Sequence, residues 1–107
     1  MYVSRLTFHT LPGKTHEVEQ KLMTLREWVA EAGGLNPRVM RTHYGSLGVP
    51  DVVFEQEVET PDALEYQIKK VTENVRFQEW ARQVASLLEQ SSKRELYQLS
   101  GSSTASD

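Results

Sequence analysis

The order of elements constrains this chain more than any motif in it. Residues 2–10 alternate apolar and polar and are rich in β-formers, which predicts a strand that Pro12-Gly13 ends. Over residues 14–32, Val18, Leu22, Leu25, Val29 and Ala32 recur at four- and three-residue steps. That spacing predicts a helix with one apolar stripe and Trp28 on its flank. Gly33-Gly34 stops it by supplying the left-handed conformation that helix ends prefer. Two strands follow, at 37–44 and 51–58, joined through Gly45, Gly48 and Pro50. Thr60 as N-cap and Pro61 at the first helical position open the next helix. Leu64, Ile68 and Val71 mark its buried side and Thr72-Glu73-Asn74 interrupts it. Phe77, Trp80, Ala81, Val84, Leu87 and Leu88 then resume the stripe, before a last strand at 94–99. The small, polar tail 100–107 is expected to be disordered.

Strand, helix, two strands, helix and strand predict an α+β chain with a ferredoxin-like βαββαβ sandwich over residues 1–99. Its four-stranded antiparallel sheet carries helices on one face, and its second helix is split. The first and third strands are central, expected to run parallel, with the second and fourth at the edges. Leu6, Phe8, Val52, Phe54 and Val58 have the parity to face the helices, while Arg5, Thr7, His9, Glu55 and Glu57 face away. Pairing Arg41 with Glu55 would set opposite charges across from each other and bring Val39, Arg41 and His43 to the open face. A one-residue slip would bring Met40, Thr42 and Tyr44 there instead.

All five lysines (Lys14, Lys21, Lys69, Lys70 and Lys93) fall outside the predicted strands, which use Arg, His and Glu. Solvated sheet edges favour Lys, whereas Arg suits partly enclosed, directed hydrogen bonding. The open face is therefore expected to be covered, most simply by a second copy in a two-fold homodimer.

Composition excludes several classes. The 107 residues suit one domain, and without cysteine there is no disulfide or thiolate chemistry, as fits a reducing cytoplasm. A net charge of −3 and the lack of a basic cluster argue against nucleic acid as a partner. No apolar run approaches a membrane span, and the N-terminal residues lack the apolar core of a signal peptide. The expected setting is cytoplasmic.

Chemistry-bearing candidates are few. His9 and His43 are candidate general bases, since histidine is the side chain suited to that role at physiological pH. Each reads equally as a hydrogen-bonded surface histidine. Arg5 and Arg41 could clamp an anionic ligand, or pair with Glu55 and Glu57 to neutralise the face. Trp80 is a core residue or the wall of an aromatic site. Tyr44, beside His43, is a further ligand candidate but would point to the other face of its strand. His9, His43 and Glu55 come from separate strands without local ligand spacing, so no metal is expected. Gly45-x-x-Gly48 is a loop, not a phosphate cradle.

With this element order, the interrupted second helix and Phe77-Gln78-Glu79-Trp80 upon it, the chain resembles the dimeric α/β-barrel superfamily over residues 2–99. Within it, the antibiotic-biosynthesis-monooxygenase-like and NIPSNAP-like domains carry a similar aromatic second helix. The resemblance implies two sheets meeting face to face in a homodimer, with a small-molecule cavity between sheet and helices. It implies a cofactor-independent monooxygenase, isomerase or cyclase acting on an aromatic or polyketide-like substrate, or else a non-catalytic binding or assembly module. The haem-degrading subgroup uses an Asn on the first strand and a Trp and His on the second helix. Only Trp80 of that set is present, so no haem and no other cofactor is expected.

Overall fold

A computed structural model describes residues 1–101. The strands are β1 (Tyr2–Phe8), β2 (Leu35–Arg41), β3 (Val52–Val58) and β4 (Lys93–Gln98). The helices are α1 (Thr15–Glu31), α2 (Pro61–Thr72) and α3 (Phe77–Ala85). The strands form one sheet in the order β2-β3-β1-β4, so the chain has the expected α+β architecture. Most of the tail expected to be disordered, residues 102–107, lies outside the described residues. Among those described, no helix is long and apolar enough to cross a membrane.

Every strand pair is antiparallel, including β1 with β3. This corrects the expected parallel pair. Each crossover helix returns the chain to the starting end of the sheet, and the β2-β3 hairpin then reverses it once.

The expected helix signals operate. The Thr60 side chain accepts a hydrogen bond from the Ala63 N–H at 3.1 Å, and Pro61 opens α2. In the second crossover, Asn74 Oδ1 accepts from the Arg76 N–H at 2.9 Å in the link between α2 and α3. Helix α1 ends with Ala32 as C-cap, followed by Gly33 at φ 101°. Its stripe of Val18, Leu22, Leu25 and Val29 is buried with Trp28 against Phe8, Val52 and Phe54 of the sheet. Trp28, Phe77 and Trp80 form an aromatic cluster with ring centroids 5.6–6.4 Å apart. Trp80 Nε1 donates to the Lys21 carbonyl at 2.8 Å, which ties α3 to α1.

The hairpin register differs from the one expected. Arg38, not Arg41, lies opposite Glu55, while Arg41 lies opposite Val52. An irregularity between Leu35 and Arg38, with Asn36 at φ 49°, shifts the start of β2. Arg41 therefore points to the helix side, where its Nη2 pairs with Glu19 Oε1 of α1 at 2.5 Å. Met40, opposite Val53, takes the open face. Strand β2 also ends at Arg41, so His43 and Tyr44 belong to the connecting loop. Their rings meet edge to face at 4.6 Å, which removes the strand-parity objection to their acting together. Lys93 opens β4 opposite Thr7, so one lysine does lie in the sheet.

Candidate functional site

Two polar constellations lie on opposite faces of the sheet. On the open face, Glu55 is 5% exposed and sits between two arginines. Arg5 Nε donates to Glu55 Oε2 at 2.6 Å. Arg38 donates to Glu55 Oε1 through Nε at 3.2 Å and Nη2 at 2.7 Å, and to Glu57 Oε2 through Nη1 at 3.0 Å. Asn36 Nδ2 adds a 3.3 Å bond to Glu57. The hydrogen bond to Glu55 raises the Arg5 pKa. Burial pulls the Arg38 pKa down, but its bonds to Glu55 and Glu57 outweigh that and leave it raised. The Glu57 pKa is lowered by the hydrogen bonds from Asn36 and Arg38. Arg5 also lies over the Tyr97 ring at 5.2 Å. Here the guanidinium groups are spent on carboxylates of the same chain.

The helix face holds a cavity of about 380 Å³ between the sheet, α1, α2 and α3. Phe8 and Phe54 contribute its floor and Phe77 and Trp80 one wall. The packing that makes it is legible locally. Helix α2 leans on the sheet through Leu64, Gln67 and Val71, and α3 buries Val84. A four-residue link, 73–76, joins them, and residues of both helices line the space above the sheet.

One end of the cavity is polar. Arg94 of β4 and Gln56 of β3 line it, and Gln67 faces them from α2. Gln56 and Ser4 are directly opposite in the β1-β3 pair, and Arg94 lies opposite Leu6, one step along the same face. Arg94 Nη1 donates to Ser4 Oγ at 2.6 Å. Gln56 and Gln67 are 3% and 5% exposed, yet neither Oε1 has a hydrogen-bond partner among the described residues. Buried orphan acceptors of this kind are uncommon in folded chains. Burial lowers the Arg94 pKa, and no carboxylate of the described residues pairs with it. Arg94 is also the only ionisable side chain in the lining.

Of the residues singled out from sequence, Trp80 lines this cavity. Arg5 and Glu55 lie together on the other face of the sheet, and Arg41 bonds α1. His43 and Tyr44 meet edge to face in the exposed hairpin loop. His9 stands just beyond β1, with Nε2 3.1 Å from the Gly48 carbonyl and Nδ1 3.1 Å from Gln90 Nε2. These partners assign the proton to Nε2, which donates to Gly48, while Nδ1 accepts from Gln90. Gln90 itself lines the cavity, so His9 reaches the site through one intermediary. Among the described residues no cluster of three or more histidines and carboxylates could hold a metal ion.

Sequence reasoning missed Ser4, Gln56, Gln67 and Arg94. A signal existed for two of them. Ser4 and Gln56 share the parity of Leu6, Phe8, Phe54 and Val58, so two polar residues sit in phase with the core. Arg94 had no such mark: every residue of β4 is exposed, and Arg94 meets the cavity from that exposed edge strand.

No protein-family model matches the sequence, and no curated protein matches it either. Solved structures do share its fold. A NIPSNAP family protein from Agrobacterium tumefaciens matches with a TM-score of 0.75 at 18% identity over 97% of each chain. An uncharacterized NIPSNAP domain protein from Burkholderia xenovorans matches with a TM-score of 0.74 at 14% identity, over 94% of this chain and 96% of that one. An antibiotic biosynthesis monooxygenase matches at 0.65 and 15% identity, over 92% of this chain and 98% of that one. The ferredoxin-like architecture shared by these proteins is thus the architecture of this chain, in agreement with the resemblance drawn from its sequence.

Proposed function

We propose that this chain binds a small molecule with a flat apolar body, aromatic or polyketide-like, in the cavity between its sheet and helices, and that it does so as a two-fold homodimer. The observation that carries this reading is the cavity itself. Its 380 Å³ falls within the usual range for small-molecule sites, of about 300–1,000 Å³. It is walled in part by the rings of Phe8, Phe54, Phe77 and Trp80, and Arg94, Gln56 and Gln67 are among its polar groups. Those groups can orient a ligand, while the rings supply burial and offset stacking. A cytoplasmic setting belongs to the same reading and is supported by the absence of cysteine.

A second reading, cofactor-independent catalysis on such a ligand, is supported by the His9–Gln90 contact at the cavity's edge. In that case His9 is the base and Gln90 must swing aside to free Nδ1. His9→Ala then abolishes turnover of a phenol or quinone while leaving its affinity within a few-fold. If turnover survives that change, His9 is not the base.

The binding reading is tested by filling the space. Ala81 lines the cavity from α3, and Ala81→Phe would place a ring inside it. Naphthols titrated against the intrinsic fluorescence of Trp28 and Trp80 should bind the parent chain and lose binding to this variant. Binding that is unchanged in Ala81→Phe would remove the cavity as the ligand site.

A further inference from the structure

We infer that the cavity selects an organic anion, an apolar ring body bearing a carboxylate, and that the Arg94 guanidinium is the group that recognises the charge. This rests on the reading of the cavity as the ligand site and adds to it the ligand's chemical class.

The other arginines of the sheet all have acidic partners. Arg5 and Arg38 are satisfied by Glu55 and Glu57, and Arg41 by Glu19. Arg94 alone is turned into an apolar cavity with no acidic partner among the described residues. A guanidinium has five N–H donors. One Nη1 proton goes to Ser4 Oγ, and no other hydrogen bond from this group is made within the described residues. The Nε–Nη2 edge is therefore unspent, and that edge is the fork that takes a carboxylate through two parallel bonds.

The neighbouring groups fit the same ligand. Ser4 Oγ accepts from Arg94, which leaves its own proton available to a further acceptor. Gln67 and Gln56 are buried at the same end and their amides lack partners for Oε1. Each amide also carries two donors that can turn toward a bound oxygen. Burial already disfavours the charged guanidinium, and an anion seated against it would relieve that penalty. Most of the remaining lining is apolar, Thr72, Gln90, Ser91 and Ser92 being its other polar members, and it offers no second ionisable group to balance a second charge. Long-range attraction does not account for such a preference, because the chain as a whole carries a net charge of −3.

The test compares naphthoate with naphthylmethanol, two ligands of similar body that differ in charge, by calorimetric titration at near-neutral pH and fixed salt. The full chain is used, with Arg94→Gln, Arg94→Lys and Ala81→Phe beside it. The parent should bind naphthoate at least about tenfold more tightly than the alcohol, as a bidentate charge-assisted pair allows. Arg94→Gln should erase that preference by weakening naphthoate far more than the alcohol, while Arg94→Lys retains part of it. Equal affinities in the parent, with both lost in Ala81→Phe, would keep the cavity and overturn the choice of an anion. Should Arg94→Gln fail to fold, the parent's own preference and the lysine variant still decide. Binding of both ligands that survives Ala81→Phe would overturn the cavity reading and this inference together.

Discussion

Glu57 shows how one side chain's surroundings become a property of the whole chain. Its pKa is lowered by Asn36 and Arg38, so the folded state holds its proton less tightly than the unfolded one. A carboxylate of this kind contributes stability that is fully present above the unfolded-state value, near 4.3, and is lost as pH falls through the folded-state value. The stability difference between the parent and Glu57→Gln should therefore be constant above about pH 5 and narrow below it. Urea unfolding at a series of pH values measures this, and a gap that stays constant down to acid pH would show that Glu57 gains nothing from its partners. Arg5, Glu55 and Glu57 were legible from sequence as an Arg–Glu face, whereas Arg41 was expected in the place that Arg38 takes. The pairing was not legible, because Arg38 and Arg41 offer the same charge on opposite parities. Only the irregular start of β2 at Asn36 decides between them. The polar end of the cavity was harder still, since Ser4 and Gln56 are unremarkable polar residues until the parity of their strands is applied.

Between elements, the tightest constraint is where α1 hands over to β2. Gly34 donates its N–H to the Val29 carbonyl at 2.9 Å, which brings the strand's first residues directly under the helix end. A Cβ on Gly34 would lie 2.4 Å from Val29 Cγ1 and 2.5 Å from Gln56 Oε1. Both neighbours are buried, and both line the cavity. Gly34→Ala should therefore destabilise the chain by about 1–3 kcal/mol, the usual range for overpacking a filled site. It should also alter ligand affinity by displacing Gln56. Thermal melting and the naphthol titration check the two effects, and a variant as stable as the parent would mean that the helix end gives way freely. The sequence marked Gly33-Gly34 as a helix stop but offered no way to tell which glycine supplies the turn and which supplies the space. Gly33 has the positive φ, and Gly34 the close approach. Element types could be read because apolar periodicity sets them. Element ends moved by a few residues, which was enough to take His43 and Tyr44 out of β2 and to put Lys93 into β4.

At the scale of the molecule, helices cover one face of the sheet and nothing within the described chain covers the other. That second face is neither a wet surface nor a dry one. Glu55 and Val3 are buried on it beneath the arginine side chains, while Met40 and Tyr97 remain 39% and 43% exposed. Arg and Glu alternate across its strands, so a copy related by a two-fold axis can set each charge against an opposite one while the apolar groups meet. This is the arrangement the homodimer proposal requires, and Met40 gives it a sharp test. In a monomer Met40→Asp is a surface change and should alter stability by no more than about 0.5 kcal/mol. In a face-to-face dimer it buries an unpaired carboxylate and should drive the chain to monomers. Sedimentation should therefore show a dimer for the parent and a monomer for Met40→Asp. The parent's melting temperature should also rise with protein concentration, while the variant's should not. A parent that sediments as a monomer at every concentration would leave the open face to water, and the Arg–Glu network would then be a feature of the single chain alone.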